Sequence, residues 1–383
     1  MGTIVLTDVD LVLDGEIMRG TIVVTDGLIS DISSGRTHLP SAIDGEGDLV
    51  LPGLVEIHTD ALEWHLRPRQ QSVWPADAAV AGHDAALAAC GITTVFDSLY
   101  VGDLGGDQFR SDILLAAVEA ITRSQLAGNT RIDHKLHLRC EVADPLTPGL
   151  FEQLIDNPLL QLVSLMDHTP GGRQYRDLDR YRSTGFGGHA TAIAEAQSDI
   201  EARIDRLQVR QAKYAVSNWA HVATLAGDRG LPLASHDDAT VEDIDLAVRS
   251  GVSIAEFPTT EVAARAAHEA GMRTAAGAPN IVRGGSHSGN VDASLLAASG
   301  LLDIVTSDYV PYSLLHAPFV LASNGVMRLS DAIALVTSHP ADAVGLRDRG
   351  RIAIGLRADL IRVRLAEAVP VIRSVFSTGQ RVG

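Results

Sequence analysis

The sequence predicts an α/β protein: a (β/α)8 TIM-like barrel with a small β-sandwich domain built from both termini. Three observations carry that expectation. Eight short apolar runs alternate with helical stretches through the middle of the chain, the pattern of a parallel sheet covered by helices. Both ends are rich in short strand-like segments broken by turn signals. At 383 residues, the chain has room for one barrel and a smaller partner.

Taken in order, the first segments are β-rich at 3–6, 11–13 and 20–25, with Asp14-Gly15 and Asp26-Gly27 as turns. Segments 350–354, 359–363 and 370–374 read the same way at the other end. The expected domains are residues 1–50 plus 349–383 for the sandwich and 51–348 for the barrel. Barrel strands are expected at 51–58, 92–99, 135–141, 162–168, 231–236, 253–258, 273–279 and 303–308. Helices are expected at 76–89, 108–126, 148–155, 199–226, 240–249, 261–270 and 292–298. The long stretch 199–226 carries mixed charges suited to i,i+4 pairing and packing outside the barrel. A doubly wound open sheet is the alternative, but no run is followed by a Gly-rich dinucleotide fingerprint.

Hydrophobic residues make up 46% and charged residues 21%, ordinary for a globular chain, while aromatics are only 4%, so aliphatic side chains must fill the core. The formal net charge of −17 argues against nucleic acid or an anionic membrane as partner. An anionic small molecule remains compatible if Arg, backbone N–H groups and metal gather locally. No apolar run reaches the roughly 18 residues a membrane span needs. Residues 1–8 hold no basic stretch leading into an apolar one, and two cysteines make no disulfide framework, so a cytoplasmic protein is expected.

The informative feature is where polar residues fall, because barrel chemistry sits at the C-terminal ends of strands. The first run ends Glu56-Ile57-His58-Thr59-Asp60, and strand alternation puts His58 and Asp60 on one face. The third ends in Glu141, the fourth in Met166-Asp167-His168, the fifth in Ser235-His236-Asp237-Asp238 and the eighth in Thr306-Ser307-Asp308. Singly these are weak signals, since a lone Asp after a strand is commonly a helix cap. Jointly, His58, Asp60, Glu141, His168, His236 and Asp308 would converge at one barrel mouth. Such a carboxylate cluster is costly without cations. Imidazole plus carboxylate with no thiolate suits divalent ions, two rather than one, zinc first and manganese or iron as alternatives. Glu141 could bridge two ions, and Asp308 could also take the proton of an attacking water.

Leu51-Pro52-Gly53-Leu54-Val55-Glu56-Ile57-His58 is similar to the start of amidohydrolase-superfamily barrels, although that superfamily usually has His-x-His where this chain has His58-Thr59-Asp60. The departure resembles the PhnM family. So do His58-Thr59-Asp60-Ala61-Leu62-Glu63, Trp74-Pro75-Ala76-Asp77, His137-Leu138-Arg139-Cys140-Glu141, Met166-Asp167-His168-Thr169-Pro170-Gly171, Ser235-His236-Asp237-Asp238, Glu256-Phe257-Pro258-Thr259-Thr260 and Ser307-Asp308-Tyr309, across nearly the whole chain.

The resemblance implies an enzyme hydrolysing α-D-ribose 1-methylphosphonate 5-triphosphate with metal-activated water, releasing pyrophosphate and leaving the 5-phosphate. A phosphorylated ribosyl phosphonate would be its small-molecule partner, and a homodimer is the default assembly. Phosphate needs positive contacts, and candidates follow barrel strands: Arg283, Ser286, His287 and Asn290 after the seventh, Arg173 and Arg176 after the fourth. Two other readings stay open. One is hydrolysis or deamination of a cyclic amide or amine, the commoner superfamily chemistry. The other is a non-catalytic binding or assembly relative, against which the full set of candidate ligands counts.

Overall fold

The computed structural model describes residues 2–69, 72–103, 108–184, 197–286 and 289–383. Its first strands are β1 (Ile4–Val12), β2 (Ile17–Thr25), β3 (Leu28–Ser34), β4 (Ile43–Asp44) and β5 (Leu49–Pro52). The barrel strands are β6 (Leu54–Thr59), β7 (Ile92–Val101), β8 (Asp133–Glu141), β9 (Leu160–Met166), β10 (Leu233–His236), β11 (Ile254–Glu256), β12 (Arg273–Gly277) and β13 (Ile304–Thr306). The chain closes with β14 (Leu360–Ala366), β15 (Val369–Ser377) and β16 (Gln380–Arg381).

Strands β6 to β13 lie side by side in sequence order, all parallel. The ends of that sheet meet. Thr59 bridges Asp308, the Asp308 amide donates to the His58 carbonyl at 3.1 Å, and the Asp60 amide donates back at 3.3 Å. Val55, Ile57, Phe96, Leu162, Ala234, Ile254, Ala275 and Ile304 fill the interior. On β8 the alternation sends Leu136, Leu138 and Cys140 into the layer beneath the helices. His137, Arg139 and Glu141 therefore point into the barrel. On β6 the register with β7 shifts between Glu56 and Thr59. The shift breaks strict alternation, so Ile57 packs inside the barrel and His58 still faces its centre.

The second sheet, mostly antiparallel, joins both termini in the order β16-β15-β14-β5-β1-β2-β3, with β4 beside β1. It curls around Leu6, Val9, Leu11, Ile22, Ile29, Val50, Leu360 and Phe376. The eight barrel strands and seven helices expected from sequence all appear, with ends moved by a few residues.

The expected first barrel strand, 51–58, is divided between the sheets at Gly53. Its amide donates to the Asp359 carbonyl at 2.7 Å, and a Cβ there would overlap the Thr93 side chain. Segment 350–354 forms bends and a turn rather than a strand; Arg349 just before it pairs with Asp133 and Asp348, and Arg351 within it pairs with Asp342. Further helices were not read from the sequence, among them Leu62–Leu66, Ala278–Arg283, Ser313–Ser323, Leu329–Ala334 and Ser338–Ala343. Pro318 inside Ser313–Ser323 obscures the helical pattern there. Among the described residues, no helix is long and apolar enough to cross a membrane.

The long helix spans Gln197–Asp228. Trp219, Val222, Ala223 and Ala226 join the outer core. Another part of its surface holds the loops above β8 and β9: Gln208 donates to the Pro170 carbonyl, Gln211 to Asp167, and Asn218 to the carbonyls of Val142 and Asp144.

Candidate metal centre at the barrel mouth

His58, His168 and His236 gather at the ends of β6, β9 and β10, all buried. The His236 ring centroid lies 5.4 Å from each of the other two. Each imidazole is held from behind by a carboxylate. His58 Nδ1 is 3.0 Å from Glu256 Oε1, His168 Nδ1 is 2.8 Å from Glu141 Oε2, and His236 Nδ1 is 2.8 Å from Asp237 Oδ2. An Nδ1–H donated to a carboxylate leaves Nε2 as the lone-pair nitrogen, which is how metal-bound histidines are commonly oriented. Nε2 of His58 and of His236 is buried with no hydrogen-bond partner, as is Oδ1 of Asp60. His168 Nε2 lies 3.6 Å from Asp237 Oδ2. Potential ligand atoms of His58, His236 and Glu256 fall within 4.8 Å of one another, as do those of His168, His236 and Asp237. Buried imidazole nitrogens without partners, beside carboxylate oxygens at ligand distance, fit divalent cations.

The electrostatics agree with that fit. Burial pushes the Asp308 carboxyl up to about 7, and the nearby Asp60 charge adds to the effect. Burial also holds the His58 imidazole well below its usual range, helped by the Arg139 charge, so it stays neutral. Deeper in the barrel, burial raises Glu56 to about 8; its oxygens accept the amides of His58 and Ser307, each at 2.6 Å, and tie β6 to β13. Three non-glycine residues following barrel strands have left-handed backbones: Asp237 at φ 60°, Phe257 at 53° and Asp308 at 53°. Strain of this kind concentrates at functional sites. Phe257 sits against the rings of His58 and His236 at 4.8 and 5.2 Å.

Of the six metal candidates from the sequence, His58, His168 and His236 share these ligand-distance groups, while Asp60, Glu141 and Asp308 fall in neither. Glu141, expected as a bridge, accepts from the Tyr100 hydroxyl at 2.7 Å and holds His168. The candidate phosphate contacts disperse. Arg173 is buried, and its Nη1 donates to the His236 carbonyl at 2.9 Å and to Asp238 Oδ1 at 2.5 Å. Arg176 is exposed and donates to Thr259 Oγ1. Arg283 ends the Ala278–Arg283 helix, exposed, before Gly284 in the left-handed region at φ 77°. Ser286 and Asn290 are half-buried beyond it, and His287 lies outside the described residues. Sequence reasoning missed Asp237, Glu256, Tyr100 and Arg139 as members of the site. Glu256 lies inside the sixth run as read, 253–258, and only the observed strand β11 ends on it, while Asp237 directly follows His236.

The sequence profile of the amidohydrolase family matches residues 49–382. The chain belongs to the amidohydrolase family. This amidohydrolase is 43% identical over 382 residues to the alpha-D-ribose 1-methylphosphonate 5-triphosphate diphosphatase of Escherichia coli (strain K12), covering 99% of this chain and 100% of that protein. Its fold resembles N-isopropylammelide isopropylaminohydrolase from Burkholderia multivorans, at TM-score 0.67 and 17% identity over 100% of this chain and 98% of that one. It also resembles 5-methylcytosine deaminase from Klebsiella pneumoniae, at TM-score 0.65 and 16% identity over 99% and 97% of the two chains. The chain is therefore a hydrolase of this family, and the PhnM resemblance read from its motifs extends over its whole length.

Proposed function

We propose that this amidohydrolase hydrolyses a ribosyl 5-triphosphate, α-D-ribose 1-methylphosphonate 5-triphosphate, to pyrophosphate and the 5-phosphate. The observation that carries a metal-assisted hydrolysis is the three carboxylate-held imidazoles with inward Nε2 atoms. The full-length likeness to the E. coli diphosphatase supports the substrate.

His58, His168, His236, Asp60 and Asp308 would hold the divalent ions, two in number and zinc in the first instance. A divalent ion there would lower the pKa of a bound water towards about 7 and neutralise phosphate oxygens. Glu256, Glu141 and Asp237 fix the imidazole tautomers, so the ligand nitrogens are set before substrate arrives. Asp308 accepts the proton of the attacking water, its backbone pinned to His58 and Asp60. The water oxygen adds to phosphorus as the anhydride link between the α and β phosphates breaks, and pyrophosphate departs. Free Cys90 and Cys140 suit a cytoplasmic enzyme.

The test is pyrophosphate release from the purified, metal-loaded enzyme. Turnover of the ribosyl triphosphate with no activity on cyclic amides is expected. Efficient hydrolysis of a cyclic amide or amine with none of the triphosphate would overturn the reading.

A further inference from the structure

We propose that Arg139 is the guanidinium that receives a phosphate group of the substrate inside the barrel mouth, an inference that rests on the triphosphate reading and supplies the cation it needs. Three arginines are buried among the described residues: Arg139, Arg173 and Arg349. Two of them are neutralised by close, hydrogen-bonded carboxylates. Arg173 meets Asp238 at 2.5 Å, and Arg349 meets Asp133 at 2.5 Å and Asp348 at 2.8 Å. Arg139 is different. Its Nη1 approaches Asp60 only to 3.9 Å, and its Nε is buried with no hydrogen-bond partner.

A buried guanidinium N–H without an acceptor is a costly arrangement that proteins keep where a ligand supplies the missing acceptor. The guanidinium fork offers Nε–H and Nη–H in one plane, matched to two oxygens of a phosphate. Its place suits that task. Arg139 lies two residues before Glu141 on the inward face of β8, and its guanidinium carbon lies 5.9 Å from the Tyr100 ring centroid. Arg110 also covers Tyr100, at 5.0 Å, but Glu63 neutralises it at 2.9 Å. Asp60, whose Oδ1 is itself unpartnered, comes no closer to Arg139 than 3.9 Å. The positive contact thus comes from within the barrel wall, whereas the loop arginines expected from the sequence point to carboxylates, Thr259 or solvent.

The experiment measures binding of imidodiphosphate, a non-hydrolysable pyrophosphate analogue, to the metal-loaded wild type and to Arg139→Lys and Arg139→Ala, with metal content determined alongside. Weakening of about ten-fold for Lys and about a hundred-fold for Ala is expected at unchanged metal stoichiometry. Added guanidinium ion should partly restore binding to Arg139→Ala, which a purely structural role would not allow. Wild-type affinity in both variants overturns the inference. So does an affinity loss that disappears once the variants are saturated with metal. If Arg139→Ala does not fold, Arg139→Lys alone decides. Because the probe is not turned over, the outcome is separable from the substrate assignment: loss of imidodiphosphate binding supports Arg139 even if the ribosyl triphosphate is not hydrolysed.

Discussion

Glu256 offers the sharpest test of how the mouth is organised. It sits at the end of β11, fully buried, with one oxygen on His58 Nδ1 at 3.0 Å and the other accepting Ser164 Oγ at 2.6 Å. Glu256→Gln keeps the size and removes the charge. One end of the new amide still accepts from His58, but the NH2 end now faces Ser164, which must reverse its hydroxyl. The alternative flip turns an N–H towards His58 and forces the proton onto Nε2, the atom proposed to bind metal. Substituting such outer partners typically costs about 10- to 100-fold in metal affinity, or about 1.4–2.7 kcal/mol. Dialysis against graded chelator followed by elemental analysis reads that shift directly. Wild-type retention of metal by a folded Glu256→Gln protein would show that the His58 tautomer does not depend on Glu256 and would remove the basis for counting Nε2 as the ligand.

Other outcomes follow from the same geometry. Asp308→Asn should keep most of its metal and lose turnover by about 10²- to 10⁴-fold, the range for a positioned proton acceptor; a near wild-type rate of pyrophosphate release would exclude that role. Arg173→Met should destabilise the fold by about 3–5 kcal/mol, because it strands the buried Asp238 charge; a raised KM at unchanged melting temperature would instead restore Arg173 as a substrate contact. Outside the barrel wall, His134 lies between Asp97 at 2.7 Å and Asp84 at 3.4 Å, with His83 on the far oxygen of Asp97. Burial opposes its charge, but Asp97 and Asp84 outweigh burial and raise it to about 9. A raised folded-state value means that the His134 contribution is complete below about pH 6.5 and fades as pH climbs through about 9, a change on the order of 3 kcal/mol. His134→Gln should flatten the fall in melting temperature across that window, and an unchanged slope would count against a charged His134.

What the sequence disclosed about the site was whatever repeats along the chain. Apolar runs of the right length, and a polar residue ending several of them, located the barrel and its mouth. His58, His168 and His236 stood out because each ends a run, and the structure gathers them. The division of the first run at Gly53 was hidden because the residues on both sides are apolar; it appears only in the pairing, with 49–52 beside β1 and β14 and 54–59 beside β7. Residues 278 and 279 read as the end of the seventh run, yet Pro279 near the start and Gly284 just past the end frame a short helix, Ala278–Arg283. Partner choice was out of reach for a different reason. Glu256 and His58 are 198 residues apart, so nothing local marks Glu256 as more than a strand-end acid.

Arg173 and Arg139 show why that limit matters for function. In the chain, Arg173 follows a strand among glycines and is expected as a phosphate contact, while Arg139, inside the third run, is not singled out. Burial alone does not distinguish them, since they are 9% and 8% exposed. What differs is the distance to the nearest carboxylate: 2.5 Å for Arg173 and 3.9 Å for Arg139. A guanidinium already bonded to Asp238 and the His236 carbonyl would have to abandon both to take a phosphate, leaving a buried carboxylate bare. One with an idle Nε loses little by accepting it. The preference for Arg139 over Arg173 as an anion contact therefore rests on partners that only the closed barrel brings within reach.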